Sequence, residues 1–172
     1  MLIMGILNVT PDSFADGGRH NEFAAAVARG LEMISEGVDI IDIGGESTRP
    51  GADRVSEAEE LERTIPVIKE LAKQGARISI DTMRASIAEA AIEAGASIIN
   101  DVSGGLADPL MLQTAARLQI PYIAMHWRGQ SKDMNSKAIY NNVVNDVISE
   151  LQERITAAQD AGIKANNLIL DP

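Results

Sequence analysis

The side chains in this sequence that can do chemistry recur at one kind of position. Asn8, the stretch Gly44 to Gly51, Asp81, Asn100 with Asp101, His126 and Asp171 each stand directly after a short apolar run. Asn8 brings an amide carbonyl oxygen that, joined by a loop carboxylate such as Asp16, can hold a hard cation. Mg2+ suits so sparse a site, because it keeps most of its waters and takes only one or two protein oxygens beside phosphate oxygens. In Gly44-Gly45-Glu46-Ser47-Thr48-Arg49-Pro50 the paired glycines permit close backbone approach. Thr48 offers a hydroxyl to a phosphate oxygen, and Arg49 a planar fork of donors matched to phosphate or carboxylate. The same stretch also reads as a Gly-rich turn with a solvated arginine, in which Glu46 pairs with Arg49 or a neighbouring strand.

Asp81, Asn100 and Asp171 leave two accounts open. Each can be an ordinary helix N-cap, since Asp and Asn are expected just before a helix. Brought together around one apolar cavity, they instead suit a flat heterocycle rimmed with N–H donors, because a carboxylate meets an aminopyrimidinone edge through two parallel hydrogen bonds. Met125 supplies an adaptable apolar surface for such a ring. His126 reads as a rim or packing residue; a metal role is disfavoured with only His20 as a second histidine.

The elements that must position these residues follow from the spacing of apolar positions. Ile- and Val-rich runs at 2–7, 38–43, 77–80, 97–99, 121–125 and 168–170 read as buried strands. Between them, residues 22–35, 56–73, 84–94, 109–118 and 143–161 show helical periodicity. Ser56 with Glu59 forms a capping box, and Gly37, Gly75, Gly95 and Gly162 stand as glycines just past helix ends. Strands alternating with helices imply parallel β-α-β units and an α/β fold. Polar residues at every strand end favour a (β/α)8 barrel, in which successive units converge on one mouth. Such a barrel has eight strands and about 250 residues, so the fold class expected is a TIM barrel truncated after its sixth strand, with residues 1–172 forming one domain.

Composition narrows the partners. The 172 residues are 45% apolar and 23% charged, with a formal net charge of −10 and no cysteine. That profile fits one globular domain, excludes a disulfide framework or thiolate metal site, and argues against nucleic acid or an anionic membrane as partner. No apolar run reaches the length of a membrane span, and a cytoplasmic location is expected.

The whole chain, from Ile3 to Pro172, resembles the first two thirds of dihydropteroate synthase, the folate-pathway pterin-binding family. The resemblance rests on MGILNVTPDSFADGG, DIIDIGGESTRPGA, SIDTMRASIAEAAIEAGASIINDVSGG, MHWRG and LILDP, in the family's order and spacing. The first two motifs are highly specific. The resemblance implies a (β/α)8 barrel joining 4-aminobenzoate to 7,8-dihydropterin-6-ylmethyl diphosphate, with release of pyrophosphate. It implies that Asn8 binds Mg2+ on the diphosphate, that Thr48 contacts substrate, and that Asp81, Asn100 and Asp171 hold the pterin with Met125 packed near it. Arg49 and Pro50 help form the aminobenzoate pocket, and Asp81 and Arg49 are the expected catalytic residues. Small-molecule substrates and a homodimer are the expected partners.

The family's Ser-Arg-Lys and Arg-x-His segments, and the Gly-Phe-Gly-Phe stretch after Asp171-Pro172, are not in this sequence, so part of the site is expected to be missing. Ala15 and Trp127 replace residues common in the family. Related pterin-dependent methyltransferase barrels and a non-catalytic pterin-binding fragment are the alternative readings.

Overall fold

The computed structural model describes residues 1–10, 18–47 and 51–172. Six strands form one all-parallel sheet in the order of the chain: β1 (Met4–Asn8), β2 (Ile40–Gly44), β3 (Ile78–Asp81), β4 (Ile98–Asp101), β5 (Tyr122–Met125) and β6 (Leu168–Asp171). Helices α1 (Gly18–Ser35), α2 (Glu57–Lys73), α3 (Ala85–Ala94), α4 (Met111–Leu118), the single turn α5 (Met134–Lys137) and α6 (Val143–Asp160) fill the crossovers. Crossovers between parallel strands are right-handed. When strand order never reverses, that rule puts every helix on the same face, and the sheet curls around its other face. The result is the winding of a (β/α)8 barrel through its sixth strand, as expected.

The two faces carry separate apolar clusters. Leu7, Ile41, Ile43, Ile78, Ile80, Ile99, Tyr122 and Ala124 pack toward the helices, against side chains such as Val67, Ile68 and Leu71 of α2 and Ile87 of α3. Ile40, Ile98 and Ile123, with Met4 beside them, form a smaller cluster on the inner face. Side chains alternate between faces along each strand, and the register carries the inner row from Ile6 to Asp42 to Ser79. At the outer strands β1 and β6 the inner-row residues Ile6 and Ile169 are 65% and 48% exposed.

The strands run further than the apolar pattern suggested. β1, β2, β3, β4 and β6 each end on the polar residue or glycine that had been assigned to the following loop. These groups are therefore held by the sheet's hydrogen bonds. Ser56 caps α2, its Oγ accepting from Glu59 N at 3.2 Å, but the other half of the expected capping box is absent because the Glu59 carboxylate pairs with Arg63. All four glycines expected past helix ends have positive φ, and Gln119 (φ 56°) does the same work after α4 without being a glycine. The first turn of α3 takes its side-chain cap from across the fold, where Asp108 Oδ2 accepts from Ala85 N at 2.8 Å.

Gly95 combines two demands, a φ of 118° and a missing Cβ that would stand 2.6 Å from Ala72 Cβ. Gly95→Ala is expected to cost about 1–3 kcal/mol, from positive-φ strain and overpacking between α2 and α3. A urea midpoint shift of that size with an unchanged m-value is the check; an unshifted midpoint would contradict it.

Candidate active site

The inner face ends in a polar rim. Neighbouring strands align Asn8 with Gly44, Gly44 with Asp81 and Asp81 with Asn100, and Met125 lies opposite Asp171 on the far side. Gly44 is the opening in this rim: a Cβ there would stand 3.3 Å from Asp81 Oδ2 and 3.6 Å from Asn8 Oδ1. Asn8 on β1 and Asp81 and Asn100 on β3 and β4 are thereby brought together around Gly44 of β2, and Met125 and Asp171 share the second arc of the same mouth. Neither Asp81 nor Asn100 acts as a helix cap. The residue before α3 is Arg84, and in the Asn100-Asp101 pair it is Asp101 that turns away to serve structure. Its carboxylate accepts from Ser103 N (2.8 Å), Ser103 Oγ (2.7 Å), Gly105 N (2.8 Å) and Tyr122 OH (2.7 Å), fixing the β4–α4 connection.

One layer deeper lies a residue that sequence reasoning missed. Asp42 is only 4% exposed; its Oδ2 accepts from Asn100 Nδ2 at 2.9 Å. Its Oδ1 and the nearby Ser79 Oγ have no hydrogen-bond partner. The signal was present: an aspartate in the run Ile40-Ile41-Asp42-Ile43-Gly44 has the same strand phase as Gly44 and so faces the interior.

The electrostatics follow from crowding acids in a poorly hydrated place. Burial pushes the Asp42 carboxyl above the usual range, against the pull of the Asn100 amide. Asp81 is pushed up to about 8, first by burial and then by the charges of Asp42, Asp101, Glu60 and Glu46. The mouth is thus rich in acceptors, and a ligand bearing N–H donors or positive charge relieves it.

The connection after β2 is held at its stems. Among the described residues, Glu46 pairs with Arg54 (2.9 Å) and Arg84 (2.9 Å). Beyond the stem, Gly51 N donates to Ser131 O at 2.7 Å, joining this connection to the one after β5. Thr48, Arg49, Pro50 and Asp16 lie outside the described residues. The Nε2 of His126 lies 2.8 Å from Glu150 Oε2. Arg128 pairs with Glu150 at 2.5 Å and lies 3.9 Å over the Tyr140 ring. Among the described residues no cluster of three or more His, Cys, Asp or Glu side chains can hold a metal, and no helix is long and apolar enough to cross a membrane.

A family model for pterin binding enzymes matches residues 4–172. The chain belongs to the pterin-binding enzyme family. It is 49% identical to dihydropteroate synthase of Bacillus subtilis, over 99% of this chain and 58% of that protein. It is 47% identical to that of Mycobacterium leprae, over 99% and 60%. Among solved structures, Xanthomonas albilineans dihydropteroate synthase with 4-aminobenzoic acid superposes with a TM-score of 0.91 at 48% identity, covering 99% of this chain and 60% of that one. The Yersinia pestis enzyme in a sulfonamide drug complex gives 0.90 at 45%, covering 99% and 62%. The chain spans about three fifths of the length of these relatives.

The raised Asp81 pKa has a signed consequence. An unfolded Asp81 titrates near 3.8 and the folded one near 8, so between these values the folded chain binds more protons and stability falls as pH rises. Thermal melts at pH 5 and pH 8 are expected to show that decline, and Asp81→Asn to flatten it by about 2–4 °C for each kcal/mol relieved. A decline equally steep in the variant would show that Asp81 is not its source.

Proposed function

We propose that this chain carries the pterin-binding part of a dihydropteroate synthase, a transferase of folate biosynthesis that condenses 4-aminobenzoate with 7,8-dihydropterin-6-ylmethyl diphosphate to give 7,8-dihydropteroate and pyrophosphate. The observation that carries this reading is the acceptor-rich rim of Asp81 and Asn100 over the buried Asp42, in a member of the pterin-binding family. Residues 1–172 act as one domain, in the cytoplasm, within a homodimer. The pterin lies in the mouth with its N–H edge on Asp81, Asn100 and Asp171 and its face near Met125. Thr48 contacts the diphosphate-bearing substrate, and Arg49 and Pro50 shape the aminobenzoate pocket.

In the reaction the methylene carbon loses its bond to the diphosphate oxygen, and the electron pair leaves with pyrophosphate. The amine nitrogen of aminobenzoate bonds to that carbon and then releases a proton. Cleavage running ahead of attack places positive charge on the electron-rich pterin; the bound ring's N–H donors and that charge favour the ionised form of the raised Asp81 carboxyl, which stabilises the charge where it develops. Arg49 holds the incoming aminobenzoate in line, so proximity replaces an enzyme nucleophile. The residues present fit a hard cation: the Asn8 amide oxygen faces the same opening over Gly44 as Asp81 Oδ2, and a sparse oxygen set is what Mg2+ takes beside phosphate. When bound, Mg2+ supplies neutralisation of the charge on the departing diphosphate.

Incorporation of radiolabelled aminobenzoate into dihydropteroate by the natural protein bearing this sequence is the test. Turnover of methyltetrahydrofolate in its place would move the chain to the methyl-transfer branch of pterin chemistry. Asp171→Asn is expected to weaken pterin binding by roughly 1–3 kcal/mol, because an amide sets a donor against a donor; calorimetry showing unchanged pterin affinity would remove Asp171 from the site. Arg49→Ala should raise the apparent requirement for aminobenzoate about tenfold or more, the scale of losing a charge-assisted pair. Pterin-diphosphate affinity should stay nearly intact, and equal losses for both ligands would exclude that role.

A further inference from the structure

We infer that Arg84 is a positioning residue for the aminobenzoate side of the site, one guanidinium fastening both stems of the β2–α2 connection to the backbone beside Asp81. The inference rests on the proposed function, in which Thr48, Arg49 and Pro50 serve the second substrate. Those residues lie between Glu46 and Val55, and Arg84 grips both. Its Nη1 meets Glu46 Oε2 at 2.9 Å, and its Nη2 donates to Val55 O at 2.7 Å. Glu46 is itself only 10% exposed at its side chain and gives its other oxygen to Arg54 Nε at 2.9 Å. Arg63 Nη1 reinforces the entry stem by donating to Gly45 O at 2.8 Å.

The same guanidinium is anchored from below. Arg84 Nη1 also pairs with Glu60, a carboxylate 1% exposed within α2. The other Glu60 oxygen accepts from Thr82 Oγ1 at 2.5 Å, and Thr82 Oγ1 accepts from Arg84 N at 3.2 Å. Thr82 directly follows Asp81. One hydrogen-bonded set thus spans the end of β3, where the pterin carboxylate stands, and both ends of the segment assigned to aminobenzoate. A planar fork is needed for this, since two donors must diverge to two stems while a third contact stays on Glu60; an ammonium is a point charge on a flexible stem and cannot keep all three. Arg84 precedes α3 on the outer side of the rim and contacts no residue assigned to the pterin, so its effect reaches substrate only through the loop.

The experiment uses the natural protein bearing this sequence. Arg84→Lys keeps a charge for the buried Glu60 while surrendering the fork. It is expected to raise KM for aminobenzoate tenfold or more, with kcat and the calorimetric Kd for pterin within about threefold. Glu46→Gln leaves the Arg84–Glu60 pair in place and guards against a folding defect; it should show the same split at about threefold to tenfold. The double variant should be no worse than Arg84→Lys alone, because residues in one network are not additive. An unchanged KM in both variants, equal loss for both ligands, or full additivity would overturn the inference. If the parent protein makes no dihydropteroate, the proposed function fails, and amide hydrogen exchange judges Arg84 separately. Faster exchange at 46–47 and 51–55 in Arg84→Lys, with 98–101 unchanged, supports the positioning role, and unchanged exchange at the stems refutes it.

Discussion

A strand has two faces, and the hydrogen-bond register of six parallel strands lets no residue choose its own. Every feature of the mouth depends on that alternation. Met4, Ile40, Ile98 and Ile123 fill the inner face below; two residues or four further along each strand, the same phase delivers Asn8, Gly44, Asn100 and Met125. Sequential strand order keeps the helices on the outside, so the inner face closes around these ends instead of being covered. The site is made by the sheet, and the connections after the strands only complete it.

Three buried carboxylates in this small volume meet three different fates, and the difference is the number of donors each can reach. Asp101 accepts four hydrogen bonds and holds a loop. Glu60 is matched by Arg84 and Thr82 and holds the stems. Asp42 has one donor and an oxygen with none, on the inner face below Gly44. Burying an acceptor without a partner costs free energy that a core residue would not incur. Under the proposed function that cost has a purpose, since acceptors left over from folding are available for recognition. Among the described residues, Arg54, Arg63 and Arg84 are spent on the stems of the β2–α2 connection.

Much of this was legible beforehand. Strand and helix order, the glycines past helix ends and the membership of Asn8, Asp81, Asn100, Met125 and Asp171 in one rim all follow from period-two and period-3.6 patterning with polar residues at strand ends. The strand ends themselves were misjudged by a residue or two, because a hydropathy pattern stops at the first polar side chain while the backbone ladder does not. Asp42 was hidden inside an apolar run for the opposite reason: its neighbours' hydropathy outweighed its own charge, although its phase pointed inward.

What the sequence by itself determined is everything that depends on residues close together in the chain: element type, capping by Ser56, the turn glycines, and motifs specific enough to name a family. Pairings between distant elements were decided only by tertiary structure. Asp108 caps a helix 23 residues earlier, and Arg84 reaches Val55 across 29 residues and Glu46 across 38. Asn100 meets Asp42 across 58. An arginine has no sequence-local preference among four nearby glutamates, Glu46, Glu57, Glu59 and Glu60; only the packing of α2 against β3, with water excluded around Glu60, makes one arrangement far better than the rest.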